Sequence, residues 1–173
     1  MKVFGIIGWS GSGKTTLIVK LLPELIERGF TVSTMKHSHH RFDLDHKGKD
    51  SFEHRKAGAS EVLVASSSRW ALMHELRGAA EPDMDELIEH MTPVDLLLIE
   101  GFKAHQHDKL EVYREATGKL LRCTDDDDVV AVACDRHLEG LDIPVIDLNE
   151  TATIVDFIIE HCRLKRGHSS GST

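Results

Sequence analysis

Residues 8–15, GWSGSGKT, constrain this chain more than any other segment, because they match the pattern G-x-x-x-x-G-K-[ST] at every position. A short apolar run at 2–7 precedes them, and apolar residues at helical spacing follow over 15–28. Glycines let backbone N–H groups curl around phosphate oxygens, and the helix N-terminus adds unpaired donors and a favourable dipole. The sequence therefore predicts a strand, a phosphate-binding loop and a helix, in that order.

The polar side chains of this loop have expected roles in binding a nucleoside triphosphate. Lys14 would contact the β- and γ-phosphates, the Thr15 hydroxyl would coordinate Mg²⁺, and Thr16 would donate to the α-phosphate. The predicted nucleotide-binding residues of the loop are Ser10, Gly11, Ser12, Gly13, Lys14, Thr15 and Thr16.

Such a site also needs a carboxylate near the metal, at the end of a neighbouring buried strand. Asp95 and Glu100 bracket one apolar strand and lie about 17 Å apart at strand rise, so only one of them can reach the nucleotide. Ligands of open α/β sheets bind beyond the carboxyl ends of the strands, which selects Glu100 as the second metal residue beside Thr15. Aspartate is the usual residue here, so Glu100 departs from the common pattern.

Residues 36–56 form a locally cationic, histidine-rich loop in a chain of formal charge −8. The loop contains five of the 12 histidines, and six Lys or Arg against four acids. It follows the second predicted strand, so we expect it at the same sheet edge as the phosphate loop. The candidates for phosphate contact are Lys36, His37, His39, Arg41, Lys47, Lys49 and Arg55, and those for Mg²⁺ or water are Asp43, Asp45 and Asp50. A zinc site is disfavoured because no cysteine accompanies the histidines.

Strands alternate with helices along the chain, which predicts an α/β, three-layer fold with a mainly parallel sheet, of the phosphate-loop NTPase type. Two β-hairpins are expected as additions. The first joins 61–66 to 69–76, and the second joins 110–115 to 119–123. Pro23 predicts a kink or an early break in the first helix.

We expect one domain over 1–164 and a disordered polar tail at 165–173. The net negative charge disfavours general binding of nucleic acid or of anionic membranes. The longest apolar run is only strand-sized, and the three cysteines lack CxxC spacing. These features predict a cytoplasmic protein with reduced thiols.

The sequence motifs leave open which base the predicted nucleotide site recognises. The [NT]KxD motif of guanine-specific GTPases is absent, and Asn149, the only asparagine, is followed by Glu150. Asp135 follows the apolar run VVAVAC and occupies a plausible position for an acidic reader of guanine, although an ordinary turn residue explains it equally well. The motifs therefore do not separate GTP from ATP.

Several segments taken together resemble the molybdopterin-guanine dinucleotide biosynthesis protein B family. They are GWSGSGKTTL at 8–17, MKHSHHRFDLDHKGKDS at 35–51, HRKAGA at 54–59, SSRWALM at 67–73 and DLLLIEGFK at 95–103. The combination is much more specific than any single segment, and the resemblance extends over about 1–164.

The resemblance implies a cytoplasmic, homodimeric, GTP-binding protein with weak GTP hydrolysis. Members are thought to assist the guanylyltransferase that attaches GMP to molybdopterin. GTP phosphates would lie on Gly11 to Thr16 and Mg²⁺ near Thr15 and Glu100, and sheet extension through the hairpins would build the dimer.

Two other functions are compatible with a phosphate loop. A phosphate-loop kinase that transfers phosphate to a small acceptor would also carry a cationic loop that closes over both substrates. A nucleotide-dependent DNA-binding ATPase is disfavoured by the net charge. The sequence reveals neither a general base nor an arginine finger, so the catalytic residue is unknown and slow hydrolysis is expected.

Overall fold

The computed structural model describes residues 1–38 and 42–165. The candidate site residues His39 and Arg41, and the expected tail beyond Lys165, lie outside the described residues. The chain forms two compact units. Among the described residues, the first comprises 1–37 and 92–165, and the second comprises 38 and 42–91.

Six parallel strands form the sheet of the first unit. They are β1 (Lys2–Ile7), β2 (Val32–Lys36), β5 (Leu96–Glu100), β6 (Lys109–Tyr113), β7 (Val129–Cys134) and β8 (Val145–Asp147). Their order in the sheet is β2-β5-β1-β6-β7-β8, and every neighbouring pair is parallel. The expected α/β fold with a parallel sheet is therefore confirmed.

Helices α1 (Lys14–Glu27) and α4 (Thr151–His161) pack together on one face of this sheet. Phe4 and Leu98 of the strands and Leu21 and Ile154 of the helices are completely buried in the shared core. Burial of such side chains is the main source of stability for helices of this length. No helix in the described ranges, 1–38 and 42–165, is long and apolar enough to cross a bilayer.

The expected break of α1 at Pro23 is wrong, because the helix continues to Glu27. Proline removes the hydrogen bond to the carbonyl of Val19, but Val19 is exposed, so water can solvate that carbonyl. Leu21 and Leu25 on the opposite side are fully buried and hold the helix against the sheet on both sides of the proline.

The second unit contains the two antiparallel strands β3 (Glu61–Ala65) and β4 (Trp70–His74), which confirm the first expected hairpin. Helix α2 (Asp50–Ala57) packs against β3. Helix α3 (Met84–Glu89) begins at a capping box, in which Asp83 and Glu86 accept hydrogen bonds from each other's backbone N–H.

The second expected hairpin, 110–115 with 119–123, is wrong. Strand β6 instead lies inside the main sheet, parallel to β1 and β7, and residues 119–123 form no strand. A short 3₁₀ turn at Glu115–Thr117 leads the chain away from the sheet. The polar residues that alternate with apolar ones in β6 are typical of a half-exposed strand, but here they are buried.

Lys109 and Glu111 are buried charges on one face of β6, and the loop at 120–128 supplies their partners. Lys109 donates to Asp126 and Asp128 over 3.2 and 3.0 Å. Glu111, which is fully buried, accepts from the backbone N–H groups of Arg122 and Cys123 at 2.9 to 3.0 Å. These bonds hold the loop across that face of the sheet.

We expect Glu111→Ala to lower the free energy of unfolding by about 3 kcal/mol, because it removes a buried carboxylate and leaves two backbone donors without their acceptor. Glu115→Ala is the matched control, since Glu115 is exposed and pairs only with the exposed Arg136. Urea denaturation measures both changes. Equal effects of the two substitutions would contradict the anchoring role of Glu111.

Candidate nucleotide-binding site

The phosphate loop connects β1 to α1, and its glycines are required by close contacts and by backbone conformation. A Cβ on Gly8 would lie 2.4 Å from the Val112 carbonyl oxygen and 2.7 Å from Ser12 Oγ. Gly13 precedes the helix with a φ of 99°, in the left-handed region. Substitution at Gly8 would therefore push the loop away from β6, and a side chain at Gly13 would strain the start of α1.

The start of α1 is suited to an anion. Gly13 offers no side-chain cap, and the first turn carries no acidic residue, so the first N–H groups keep their capacity to donate. Ser12 Oγ is buried with no hydrogen-bond partner among the described residues. An uncapped helix start and an unsatisfied buried hydroxyl both fit a loop that receives phosphate oxygens.

Lys14 lies folded onto its own loop. Its Nζ donates to the carbonyl oxygens of Gly8 at 3.1 Å and Trp9 at 2.9 Å. Burial lowers the pKa of Lys14, the Glu100 carboxylate opposes this shift, and the positive charges of Lys103, Lys36 and Arg122 add to it. Three cations therefore repel the Lys14 ammonium group, and a bound polyphosphate would relieve this repulsion.

Thr15 and Glu100, the two expected metal residues, lie together. Thr15 Oγ1 is 3.1 Å from both carboxylate oxygens of Glu100, and Lys36 Nζ is 3.2 Å from one of them. Hydroxyl and carboxylate oxygens are the donors that Mg²⁺ prefers. The residues present therefore fit Mg²⁺ at the side of the phosphate loop.

Asp95 lies at the other end of β5. Its carboxylate accepts from the backbone N–H of Thr31 at 2.8 Å and from the Thr31 hydroxyl at 2.7 Å, and these bonds lower the pKa of Asp95. The two carboxylates that bracket this strand therefore have different tasks. Asp95 ties β5 to the start of β2, and Glu100 faces the phosphate loop.

The chain turns sharply after Glu100. Gly101 and Phe102 both have positive φ, 107° and 47°, and a Cβ on Gly101 would lie 2.9 Å from His37 Cβ. The His37 N–H donates to the Glu100 carbonyl, and its ring lies 4.7 Å from the Phe102 ring. Lys36 and His37 of the histidine-rich loop are therefore held at the carboxyl end of β5.

Asp135 lies at the carboxyl end of β7 and is linked to the phosphate loop by Arg114. Arg114 Nη1 donates to Asp135 at 2.9 Å, and its Nε donates to the Ser12 carbonyl at 3.1 Å. A narrow crevice of about 20 Å³ lies beside this bridge, and Thr16, Leu148 and Asn149 are among the residues that line it. The crevice joins the start of α1 to the carboxyl ends of the outer strands.

The other candidates from the histidine-rich loop belong to the second unit. Arg55 pairs with Asp45 at 2.7 Å, Asp43 at 3.3 Å and Glu75 at 3.2 Å, which raises the pKa of Arg55 and lowers that of Asp45. Lys49 precedes α2, and Asp50 is its first residue. Asp45 and Arg55 are thus engaged with each other, and the phosphate-binding role expected for this loop stays a prediction.

Four residues near the phosphate loop were missed from the sequence. They are Trp9, Lys103, Arg114 and Arg122. Arg114 and Arg122 fell in the wrongly expected hairpin, so nothing indicated that they approach residues about 100 positions earlier. The unusual tryptophan inside a glycine-rich loop was the one available signal.

We expect Glu100→Gln to weaken the Mg²⁺ dependence of nucleotide binding, so that the Mg²⁺ affinity measured with nucleotide present falls by ten-fold or more. The substitution removes the negative charge of the carboxylate that is expected to hold the ion. Asp95→Asn is the matched control at the other end of the same strand and should lower thermal stability instead. Titration of Mg²⁺ at fixed nucleotide, followed by calorimetry, measures the first effect. A larger loss of Mg²⁺ dependence in Asp95→Asn would overturn the assignment.

Comparison with known proteins gives one consistent result. The family model described as molybdopterin guanine dinucleotide synthesis protein B matches residues 3–135. The molybdopterin-guanine dinucleotide biosynthesis adapter protein of Escherichia coli (strain K12) is 42% identical over 162 residues, 92% of each chain. The adapter protein of the same description from Haemophilus influenzae is 43% identical, over 90% of this chain and 86% of the relative.

Solved structures agree with this result. The crystal structure titled molybdopterin-guanine biosynthesis protein B superposes with a TM-score of 0.73 at 27% identity, over 92% of this chain and 99% of the other. Bacillus subtilis MobB, at 24% identity, shares the fold with a TM-score of 0.75 over 96% of this chain and 100% of its own. The chain therefore belongs to the molybdopterin guanine dinucleotide synthesis protein B family.

Proposed function

We propose that this protein is a GTP-binding adapter of molybdopterin guanine dinucleotide biosynthesis. The observation that carries the proposal is the contact of Thr15 with Glu100 beside a complete phosphate loop, in a chain that belongs to this family. The curated relatives are described as adapter proteins, which favours a role for the bound nucleotide over a role as a kinase.

In this proposal the phosphates of GTP bind the backbone N–H groups from Gly11 to Thr16, and Lys14 leaves its two carbonyl partners to contact the β- and γ-phosphates. Thr15 and Glu100 hold Mg²⁺. The ion, when bound, neutralises charge on the phosphate oxygens. Glu100 is already engaged by Thr15 and Lys36, which leaves it poorly placed to act as a base toward water.

Slow hydrolysis follows from this assignment, because residues 1–38 and 42–165 show no dedicated water-orienting residue beside the phosphate loop, and such a loop is a weak catalyst. We expect turnover on the order of 10⁻⁴ to 10⁻² s⁻¹. The state of the bound nucleotide, rather than its rapid turnover, would then matter to the partners. These are the guanylyltransferase and its substrate molybdopterin.

The proposal assigns guanine recognition to Asp135. Only Cys134 Sγ, at 4.0 Å, contacts its Oδ1 within the part of the chain that is described, while Oδ2 is held by Arg114. A carboxylate oxygen in this position can accept from the N–H groups of guanine, whereas adenine offers no equivalent pair of donors on that edge. Arg114 would orient the carboxylate and connect it to the phosphate loop.

Calorimetry with GTP and ATP, each with Mg²⁺ and with EDTA, tests this function, with hydrolysis followed in the same samples. We expect clear preference for GTP, and Lys14→Ala should lower GTP affinity by ten-fold or more without unfolding the protein. Unchanged affinity in Lys14→Ala would overturn the phosphate-loop assignment. Rapid phosphate transfer to a small acceptor would instead support a kinase.

The role of Asp135 has its own test. Asp135→Asn should reduce the preference for GTP over ATP by about ten-fold, because it removes the acceptor charge that faces guanine. Asp142→Asn, in an exposed loop, is the matched control. Competition binding of the two nucleotides measures the preference, and an unchanged ratio in Asp135→Asn would assign base recognition elsewhere.

We also propose a cytoplasmic homodimer built through the β3–β4 hairpin. Leu63 pairs across the strands with Leu72, and Ala65 with Trp70, so these apolar side chains share one face. Leu63 and Trp70 are 60% and 66% exposed, and a lone two-stranded hairpin is marginal in water. All three cysteines are free thiols, which fits a reducing compartment.

Leu72→Lys should convert the dimer to a monomer, because it places a charge at the centre of this exposed apolar face. Glu89→Lys, on α3, is a control that adds the same side chain away from the hairpin. Light scattering coupled to gel filtration measures the mass of each variant. A wild-type mass equal to one chain at all concentrations would refute the dimer.

A further inference from the structure

A second cavity lies beside the phosphate loop and is not used by the nucleotide site described above. Its volume is about 620 Å³, which is within the range for small-molecule sites. The cavity is lined by Trp9 of the phosphate loop, by Lys103 and Ala104 after β5, by Lys109 of β6 and by residues of the loop at 120–128. All of these residues belong to the first unit.

Two cations that line this cavity differ from four others around the phosphate loop. Lys14, Lys36, Lys109 and Arg114 each donate to a carboxylate or a carbonyl oxygen. Lys103 and the Arg122 guanidinium have no such partner within residues 1–38 and 42–165, and Arg122 Nε is buried without a hydrogen bond. Donors of this kind cost free energy when they stay unsatisfied.

The structure nevertheless holds both cations in place. The Arg122 guanidinium lies 3.9 Å above the Trp9 ring, and Trp9 Nε1 donates to the Leu120 carbonyl at 2.8 Å. The backbone N–H of Arg122 is bound by the buried Glu111. Arg122 is therefore fixed by its backbone and by the flat face of its side chain, while the N–H edge of the guanidinium keeps its donors.

The repulsion between Lys103 and Arg122 indicates that a ligand bound between them would be negatively charged. Burial lowers the pKa of Lys103, and the positive charge of Arg122 lowers it further. Both residues also act on Lys14 in the phosphate loop. An anion between Lys103 and Arg122 would accept from the Lys103 ammonium and the Arg122 Nη groups and remove the repulsion, and arginine is well shaped to bind phosphate through two N–H groups.

Three aspartates also line the cavity. Asp126 and Asp128 are neutralised by Lys109, whereas the Asp125 side chain is exposed on the lining. Carboxylates there accept N–H donors and repel a polyanion such as a second nucleoside triphosphate. A lining that contains both free cations and an exposed carboxylate matches a ligand that carries one phosphate group and a compact organic part with N–H donors.

We propose that this cavity is a second ligand site, in which Lys103 and Arg122 bind the phosphate of a small phosphate monoester next to the nucleotide site. This inference rests on the proposed function, which places GTP on the phosphate loop. The protein would then hold a nucleotide and a phosphorylated small molecule side by side. Trp9 belongs to both sites and links them.

O-phosphoethanolamine is a minimal probe, because it carries a phosphate monoester and an ammonium group and does not absorb at tryptophan wavelengths. The titration uses a Trp70→Phe background, which leaves Trp9 as the only tryptophan, with the phosphate loop saturated by GDP and Mg²⁺. We expect saturable binding at one site per chain, by calorimetry and by a change in Trp9 emission. Ethanolamine is the matched ligand without phosphate and should not bind.

Arg122→Gln and Lys103→Gln should each weaken binding of the probe by ten-fold or more and weaken GTP binding by a much smaller factor, because their charges act on Lys14 only through space. Arg136→Gln is the control, since that exposed arginine pairs with Glu115. No saturable binding of the probe would overturn the proposal. Equal losses of probe and GTP affinity in Arg122→Gln would also overturn it, because Arg122 would then belong to the nucleotide site.

The same titration on Lys14→Ala without nucleotide separates this proposal from the proposed function. Probe binding that persists there supports the second site even if GTP does not bind the wild-type protein. Loss of probe binding in Lys14→Ala would place the probe on the phosphate loop and would refute a separate site.

Discussion

The parallel pairing of β1 with β5 on one side and β6 on the other is the constraint on which the proposed nucleotide site depends. The pairing sets Ile6 opposite Glu100, so that the carboxyl end of β5 stands beside the point where the phosphate loop begins. Thr15 then meets Glu100 across 85 positions of sequence. On the other side, β6 brings the Val112 carbonyl against Gly8, which leaves no room for a side chain there.

The buried charges of β6 extend this arrangement to the second cavity. A lysine and a glutamate on one buried face are costly to desolvate, and they are tolerated because Asp126, Asp128 and two backbone N–H groups satisfy them. The same bonds fix the position of the loop at 120–128. The loop that satisfies Glu111 carries Arg122, and Arg122 lies on the tryptophan of the phosphate loop. One buried carboxylate thus connects the stability of the sheet to the geometry of the second cavity.

Much of the site could be predicted from local sequence because its chemistry is local. The eight residues of the phosphate loop specify their own backbone through glycine, and the choice of Glu100 over Asp95 followed from the rule that ligands bind at carboxyl ends of parallel strands. The other residues around the phosphate loop could not be predicted from local sequence in this way. The segment 110–115 is predicted to form a hairpin because the turn signal Ala116-Thr117-Gly118 follows it, and a turn signal cannot reveal that the strand pairs with β1 and β7 rather than with the segment after the turn.

The sequence by itself determined the fold class, the position of the phosphate loop, the carboxylate that faces it and, through five short segments, the family. These depend on residue types at fixed spacing, whose backbone requirements hold in any context. Only the tertiary structure decided that β6 is a central strand, that Arg114 bridges Ser12 to Asp135, and that Lys103 and Arg122 share a cavity with Trp9. Those contacts join residues far apart in the chain, and their positions follow from the order of strands in the sheet, which no local pattern encodes.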